Sequence, residues 1–346
     1  MAKLIYGTGD VSFSDVMIEP QYSEVLSRND VDVSSKLGPL HLDLPVISAN
    51  MRNITGPDMC IAMAQSGGLG ILHRFVPVEQ AVRDLQGANI GLAVKAPYGK
   101  HPLLGVSVGV KPEDAERCAC LIDAGASLIC IDVAHGHHIM VRNMIERLRK
   151  RYGTDIVIIA GNVATPAGAN DLSQWGADIV KVGIGAGSAC QTRRTSGVGV
   201  PQLQALERIA SAHPDIPIIS DGGISNIGDV PKALAFSQAV MVASLIAGTT
   251  ETPGKVYEDG SGGFYKVFGG SASGENKVAS GGDNKFVEGS MRQVVFRGHV
   301  KYVLERIREG IQMACSFAGT PSLSEFRERA VLRVISSGSA SESKYR

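Results

Sequence analysis

The chain has 346 residues with 34 Lys+Arg balanced by 34 Asp+Glu, so it carries no charge footprint for nucleic acid or an anionic membrane surface. It holds no apolar run of about 18 residues and no basic-then-apolar leader after Met1, so the expectation is a cytoplasmic protein with no nucleic-acid or membrane partner. Six cysteines, at 60, 118, 120, 130, 190 and 315, lack a second close pair to complete a zinc site and read as free thiols.

Along the chain, short apolar runs recur at Pro45–Ala49, Leu69–Leu72, Leu104–Val108, Leu128–Ile131, Ile156–Ala160, Ile179–Val182, Ile216–Ile219 and Ala239–Ala243. They are mostly continuous rather than alternating, the pattern of parallel strands covered on both faces. Helices are predicted between them, for example over Pro112–Ala124 and Val141–Tyr152. Ala124-Gly125-Ala126 and Trp175-Gly176-Ala177 both read as a helix end running into a strand. Eight repeated βα units point to an α/β protein with a (β/α)8 TIM barrel; a doubly wound open sheet is the alternative. The Gly/Ser/Asn-rich stretch Ser261–Gly289 is too long for an ordinary connection and reads as a mobile flap after the last strand, or as an insertion without a role. Residues 1–335 are expected to form one catalytic domain and 336–346 a disordered tail.

A barrel collects its chemistry on the loops after the strand C-termini. Those positions hold Asn50, His73-Arg74, Gly109, Asp132 with His135, Asn162, the run from Gly183 to Arg193, Asp221-Gly222-Gly223 and Ser244. Any one of these polar residues alone is explained as a helix N-cap, but eight in register are not. Gly183, Gly185 and Gly187 strip side chains from a turn that presents Cys190, letting amides approach an anion or carbonyls converge on a cation. A thiolate there can act as a nucleophile; a glycine-rich surface turn with an incidental thiol is the plain alternative. Asp221-Gly222-Gly223 combines an acceptor for a ribose hydroxyl with backbone amides for a phosphate, and Ser244 follows the last strand.

Taken together, Phe13–Val16, Asn50-Met51, Gly68–His73, Ile131–His137, Ala160–Val163, the cysteine loop through Gly197–Gln202, and Ser220–Ile224 resemble the IMP dehydrogenase/GMP reductase family in order over nearly the whole chain. The resemblance implies a (β/α)8 barrel, usually a homotetramer, acting at purine C2 of a nucleoside monophosphate. It implies that Cys190 bonds C2, that Ser188, Gly222, Gly223 and Ser244 hold phosphate, that Asp221 holds the ribose, and that Met51 lies against the base. Ala243, Gly270, Ser271, Lys285 and Gly289 are further expected substrate contacts. Asp132, His135 and Asn162 are expected at the cofactor, and the carbonyls of Gly185, Gly187 and Cys190 at a potassium or sodium ion.

Within the family, one branch oxidises IMP with NAD and water, and the other reduces GMP with NADPH and releases ammonia. The dehydrogenase flap carries an Arg-Tyr pair that activates water, and Ser280–Gly289 has none. Between Arg74 and Leu104 there is no room for the dehydrogenase's regulatory repeats, and Ser220 before Asp221 follows the reductase habit. Ile131–His137, Leu245–Thr249 and His73-Arg74 look more like the dehydrogenase. Arg52-Asn53, Ala186, Gln191 and Gly270 depart from both. The resemblance therefore implies a divergent NADPH-dependent reductase, with Cys190, Thr192 and Glu288 as its catalytic residues. A dehydrogenase lacking its regulatory domain and a non-catalytic nucleotide sensor are the alternatives.

Overall fold

The eight apolar runs become eight parallel strands in a computed structural model that describes residues 2–5, 10–95, 104–270, 290–336 and 338–339. They are β1 (Val46–Ser48), β2 (Leu69–Leu72), β3 (Leu104–Val108), β4 (Leu128–Asp132), β5 (Val157–Val163), β6 (Ile179–Val182), β7 (Ile218–Asp221) and β8 (Ala239–Val242). Their Val and Ile content suits the pleat, since branched side chains pack well on a sheet. Every residue of β1, β2, β3, β6 and β8 is buried, as strands covered on both faces must be. Pairing of Val240 with Val46 and of Val242 with Ser48 joins β8 to β1. The sheet is thus a closed barrel, and the open-sheet alternative is excluded. Three strands run past the apolar runs into polar residues, to Asp132, Val163 and Asp221, because neighbouring strands satisfy their backbone groups.

Outside the barrel lie α1 (Pro57–Gln65), α2 (Val78–Lys95), α3 (Pro112–Asp123), α4 (Ile139–Tyr152), α5 (Pro166–Gln174), α6 (Gln202–Ala212), α7 (Asp229–Leu234) and α8 (Val300–Phe317). Proline opens α1, α3 and α5, where its fixed φ is already helical and its missing N–H costs nothing. Helix α4 buries Val141, Met144, Ile145 and Leu148, one stripe at helical spacing facing the strands. Gly125 and Gly176 end α3 and α5 at φ +103° and +110°, a conformation costly for any side chain. In both, the amide after the glycine returns to a carbonyl five residues back, Ala126 to Leu121 and Ala177 to Leu172. That repeated motif turns each helix directly into the next strand.

A small sheet that the sequence did not announce ties the ends together. Val331–Val334 pairs in parallel with Lys3–Ile5 and antiparallel with Val16–Ile18. After β8 comes an antiparallel hairpin of β9 (Phe264–Gly269) and β10 (Met291–Val295). This corrects the reading of Ser261–Gly289 as a flap throughout, because Lys266 and Phe268 are buried in β9. The Lys266 ammonium donates to the carbonyls of Thr249, Thr250 and Thr252 at 2.9, 3.1 and 2.6 Å. A lysine used as an internal anchor made a packed strand look polar. Residues 271–289, and with them the rest of the expected flap, lie outside the described residues, as do 337 and 340–346 of the expected tail. No helix among the described residues is long and apolar enough to cross a membrane.

Candidate active site

At the C-terminal mouth of the barrel, three strands bring ionisable side chains, and a fourth the amide Asn162, around one buried ammonium. Lys181 of β6 is 1% exposed, and its ammonium donates to Asp132 Oδ1 and Asp221 Oδ2, each at 2.8 Å, and to the side-chain oxygen of Asn162. Asn162 in turn donates from Nδ2 to Asp221 Oδ2 at 2.9 Å and to the Gly183 carbonyl at 2.7 Å. Gly161 makes room, since a Cβ there would stand 2.7 Å from that of Lys181. Burial opposes the charge on Lys181, but Asp132 and Asp221 outweigh it and raise its pKa above the ordinary lysine range. Burial likewise works against ionised Asp132, but Lys181 prevails and holds the carboxyl below its usual value. The result is a hydrogen-bonded constellation that fixes Asp132, Asn162 and Asp221 around one ammonium. Lys181 went unread in the sequence because it was counted inside the apolar run Ile179–Val182.

Above this layer is the cysteine loop. Gly183 takes φ +150°, and a Cβ there would stand 1.9 Å from the Asp221 carbonyl oxygen, so only glycine lets β6 pass β7 at this point. Gly222 and Gly223 have φ +94° and +80°, and a Cβ on Gly222 would stand 3.0 Å from the Gly187 amide nitrogen. The two glycine turns therefore touch and form one bare-backbone cradle. Cys190 is exposed, with Sγ 3.1 Å from Thr192 Oγ1. Burial instead pushes the thiols of Cys118, Cys130 and Cys315 up to about 12 and that of Cys60 higher, which keeps them protonated and inert.

The remaining expected site residues divide. Met51 and Ala243 are half-buried beside the core at the ends of β1 and β8. Ser188 is exposed at the cradle rim and accepts from Arg292 Nη2 at 2.8 Å, whereas the Ser244 hydroxyl is committed to the Ile224 carbonyl at 3.1 Å. His135 is exposed after β4. Gly270 is buried at the end of β9 and donates to the Ser290 carbonyl at 3.1 Å, and Ser290 donates to Ala189 O at 3.1 Å, which docks the hairpin on the cysteine loop. Ser271, Lys285, Glu288 and Gly289 lie outside the described residues.

Gly185, Gly187 and Cys190 supply neutral carbonyls, the donor type a monovalent cation prefers, although Gly187 O already accepts the Cys190 amide at 3.0 Å. Arg193 packs against Gly185 and donates to Val200 O at 2.6 Å, placing a fixed positive charge at the loop rim. Among the described residues no group of three or more His, Cys, Asp or Glu could hold a metal ion.

A second cationic region lines the mouth after β1, β2 and β3. Burial first, then Arg52 and Arg117, push His73 down to about 4. Its Nδ1 faces the Phe75 amide at 3.2 Å, a contact that suits the neutral ring. The buried Nε of Arg74 and the buried Nε and Nη2 of Arg117 have no hydrogen-bond partner among the described residues. Arg117 is held from Nη1 by the Val76 carbonyl at 2.6 Å, and the charge of Arg74 helps hold Asp132 below its usual carboxyl range.

Comparison with known proteins converges on one family. Residues 10–346 match the family model described as IMP dehydrogenase / GMP reductase domain. The chain is 36% identical to the GMP reductase of Variovorax paradoxus strain S110, over 91% of this chain and 93% of that protein. It is also 36% identical to the GMP reductase of Bacillus subtilis strain 168, with the same coverage. Identity to the inosine-5′-monophosphate dehydrogenase of Nitrosopumilus maritimus strain SCM1 is 29%, over 96% of this chain and 97% of that protein. A crystal structure of a cysteine-to-alanine variant of Trypanosoma brucei GMP reductase with guanosine 5′-monophosphate superposes with a TM-score of 0.89 at 24% identity, covering 98% of each chain, which supports the barrel fold.

Proposed function

This chain belongs to the IMP dehydrogenase / GMP reductase family, and from that premise we propose that it is an NADPH-dependent GMP reductase. The observation that carries the reading is the exposed Cys190 at the rim of the double-glycine cradle, with Asp221 held beside it. Similarity at 36% to GMP reductases over nine-tenths of the chain favours this branch over the dehydrogenase, as does the missing Arg-Tyr pair in Ser280–Gly289.

In this reading GMP lies with its phosphate on the Gly222-Gly223 and Ser188 cradle, its ribose on Asp221 and its base against Met51. The Cys190 thiolate attacks purine C2 and forms a C–S bond. Thr192, 3.1 Å from the sulfur, and Glu288 of the flap pass a proton to the 2-amino group, which leaves as ammonia. A thiol suits both halves of the cycle because it attacks well and departs well. Reduced nicotinamide, when bound, supplies the hydride that converts the Cys190-linked purine to IMP. Release of IMP breaks the C–S bond and restores the thiolate.

His135, Asp132 and Asn162 border the cofactor's side of the mouth in this reading. Asp132 acts by pairing with Lys181 as well as facing that side. A potassium or sodium ion on the carbonyls of Gly185, Gly187 and Cys190 would stiffen the loop that presents the sulfur. The working form is a homotetramer and its location cytoplasmic. The test is absorbance of reduced nicotinamide in two cuvettes, GMP with NADPH and IMP with NAD. Loss of absorbance in the first with release of ammonia is expected. A gain only in the second would overturn the assignment and reveal water activation without the arginine.

A further inference from the structure

We propose that Arg292 is a phosphate-recognition residue that makes this enzyme selective for the 5′-monophosphate over the free nucleoside. The inference rests on the nucleotide reading above and adds to it a charged residue that no sequence motif indicated.

The cradle built by Gly187, Gly222 and Gly223 offers only neutral amides, and the hydroxyl of Ser244 is already spent on Ile224. A phosphate monoester carries close to two negative charges at neutral pH, so neutral donors alone leave most of that charge to solvent. Arg292 corrects the imbalance. It extends from β10, donates from Nη2 to Ser188 Oγ at 2.8 Å, and so holds its guanidinium at the rim of the cradle. Accepting that hydrogen bond leaves the Ser188 hydroxyl proton free to point at an anion.

Two further observations separate this arrangement from an ordinary solvated arginine. The Arg292 guanidinium carbon lies 5.1 Å above the centroid of Phe268, which is buried in β9 and fixes the side chain's path. Arg292 also makes no ion pair with a carboxylate among the described residues, so its charge is not neutralised by the protein there. A guanidinium held by a ring, aimed at a serine on an anion cradle and not paired with an acid is poised for a phosphate oxygen.

The experiment is isothermal titration of GMP, IMP and guanosine, with guanosine also measured by competition against GMP, on the wild-type protein, R292Q and R292K. R292Q is expected to weaken GMP and IMP about 10- to 100-fold, the range for losing a hydrogen bond to a charged group, while leaving guanosine unchanged. R292K should recover part of that loss by charge alone, and the wild-type advantage of GMP over guanosine should shrink with added salt. Unchanged GMP affinity in R292Q overturns the proposal. So does an equal loss for GMP and guanosine, which would mark a structural role. If R292Q does not fold, R292K decides, and nucleotide affinity at or above wild type with unaltered salt dependence counts against the proposal. A wild-type protein that binds none of the three purines refutes the nucleotide reading itself, an outcome distinct from a variant that fails to discriminate.

Discussion

Replacing Lys181 by Met tests whether the buried ion cluster holds the mouth of the barrel together. The ammonium contacts two carboxylates at 2.8 Å, and each contact is worth roughly 6 kcal/mol of attraction at an effective dielectric of about 20. Desolvation offsets much of that, but removing one member of a buried cluster leaves its partners uncompensated, at a cost of about 3–5 kcal/mol. For a chain of 346 residues, with an unfolding entropy near 2.1 cal/mol/K per residue, the melting temperature should fall by ~4–7 °C. The pH dependence has a fixed sign. Asp132 is held below its unfolded value, so its stabilisation is present above about pH 4 and lost as pH falls through the folded value. Lys181 is raised, so its contribution is complete below about pH 10.5 and lost only above it. Thermal melts of wild type and K181M at one scan rate, from pH 3 to pH 9, should show a gap that is constant near neutrality and narrows below about pH 4. A shift under 1 °C at neutral pH, or a gap that widens in acid, refutes the reasoning.

Other consequences follow from the same geometry. The His73 imidazole, pushed from its ordinary value of 6.5 to about 4, should cost wild type up to ~3 kcal/mol between those two pH values. The sign is that of a base buried neutral: its contribution is present above 6.5 and lost as pH falls, and denaturant titrations of H73Q should lack that component. C190A is expected to bind GMP with near wild-type affinity yet lose at least 1000-fold in turnover; near-normal turnover would sink the covalent mechanism. G183A places a Cβ 1.9 Å from the Asp221 carbonyl oxygen and should either unfold or lose nucleotide binding, measured by soluble yield and titration; a stable, active variant would show that β6 and β7 can part at no cost.

The barrel was legible because its strands are short, continuous apolar runs at regular spacing, and two of the helix ends carry a glycine that can be nothing else. Cys190, Asp221, Asn162 and the glycine turns were legible because they follow those strands directly. Lys181 was not, since a single charge inside Ile179–Val182 looks like an interruption until barrel closure brings Asp132 and Asp221, 49 and 40 residues away in sequence, to its ammonium. The same closure changes the meaning of Asp132, an expected cofactor contact that also pairs with Lys181. Arg292 and Lys266 were missed for a related reason. Each is a lone cation on a strand after β8, and only the hairpin's return onto Ser188 and onto the Thr249–Thr252 carbonyls distinguishes them from solvated side chains.

The amide of Gly270 on the Ser290 carbonyl, and that of Ser290 on Ala189, clasp the two stems of the flap to each other and to the loop that carries the nucleophile. A closed loop is tolerant of its own length, since each doubling adds only about 0.6 kcal/mol to the entropy of closure. The clasp therefore fixes the stems independently of the loop they close. An alteration at the clasp itself would move both stems and the loop that carries the sulfur together. The nucleophile's position is thus set by two backbone hydrogen bonds at the base of the hairpin, not by the length of chain beyond them.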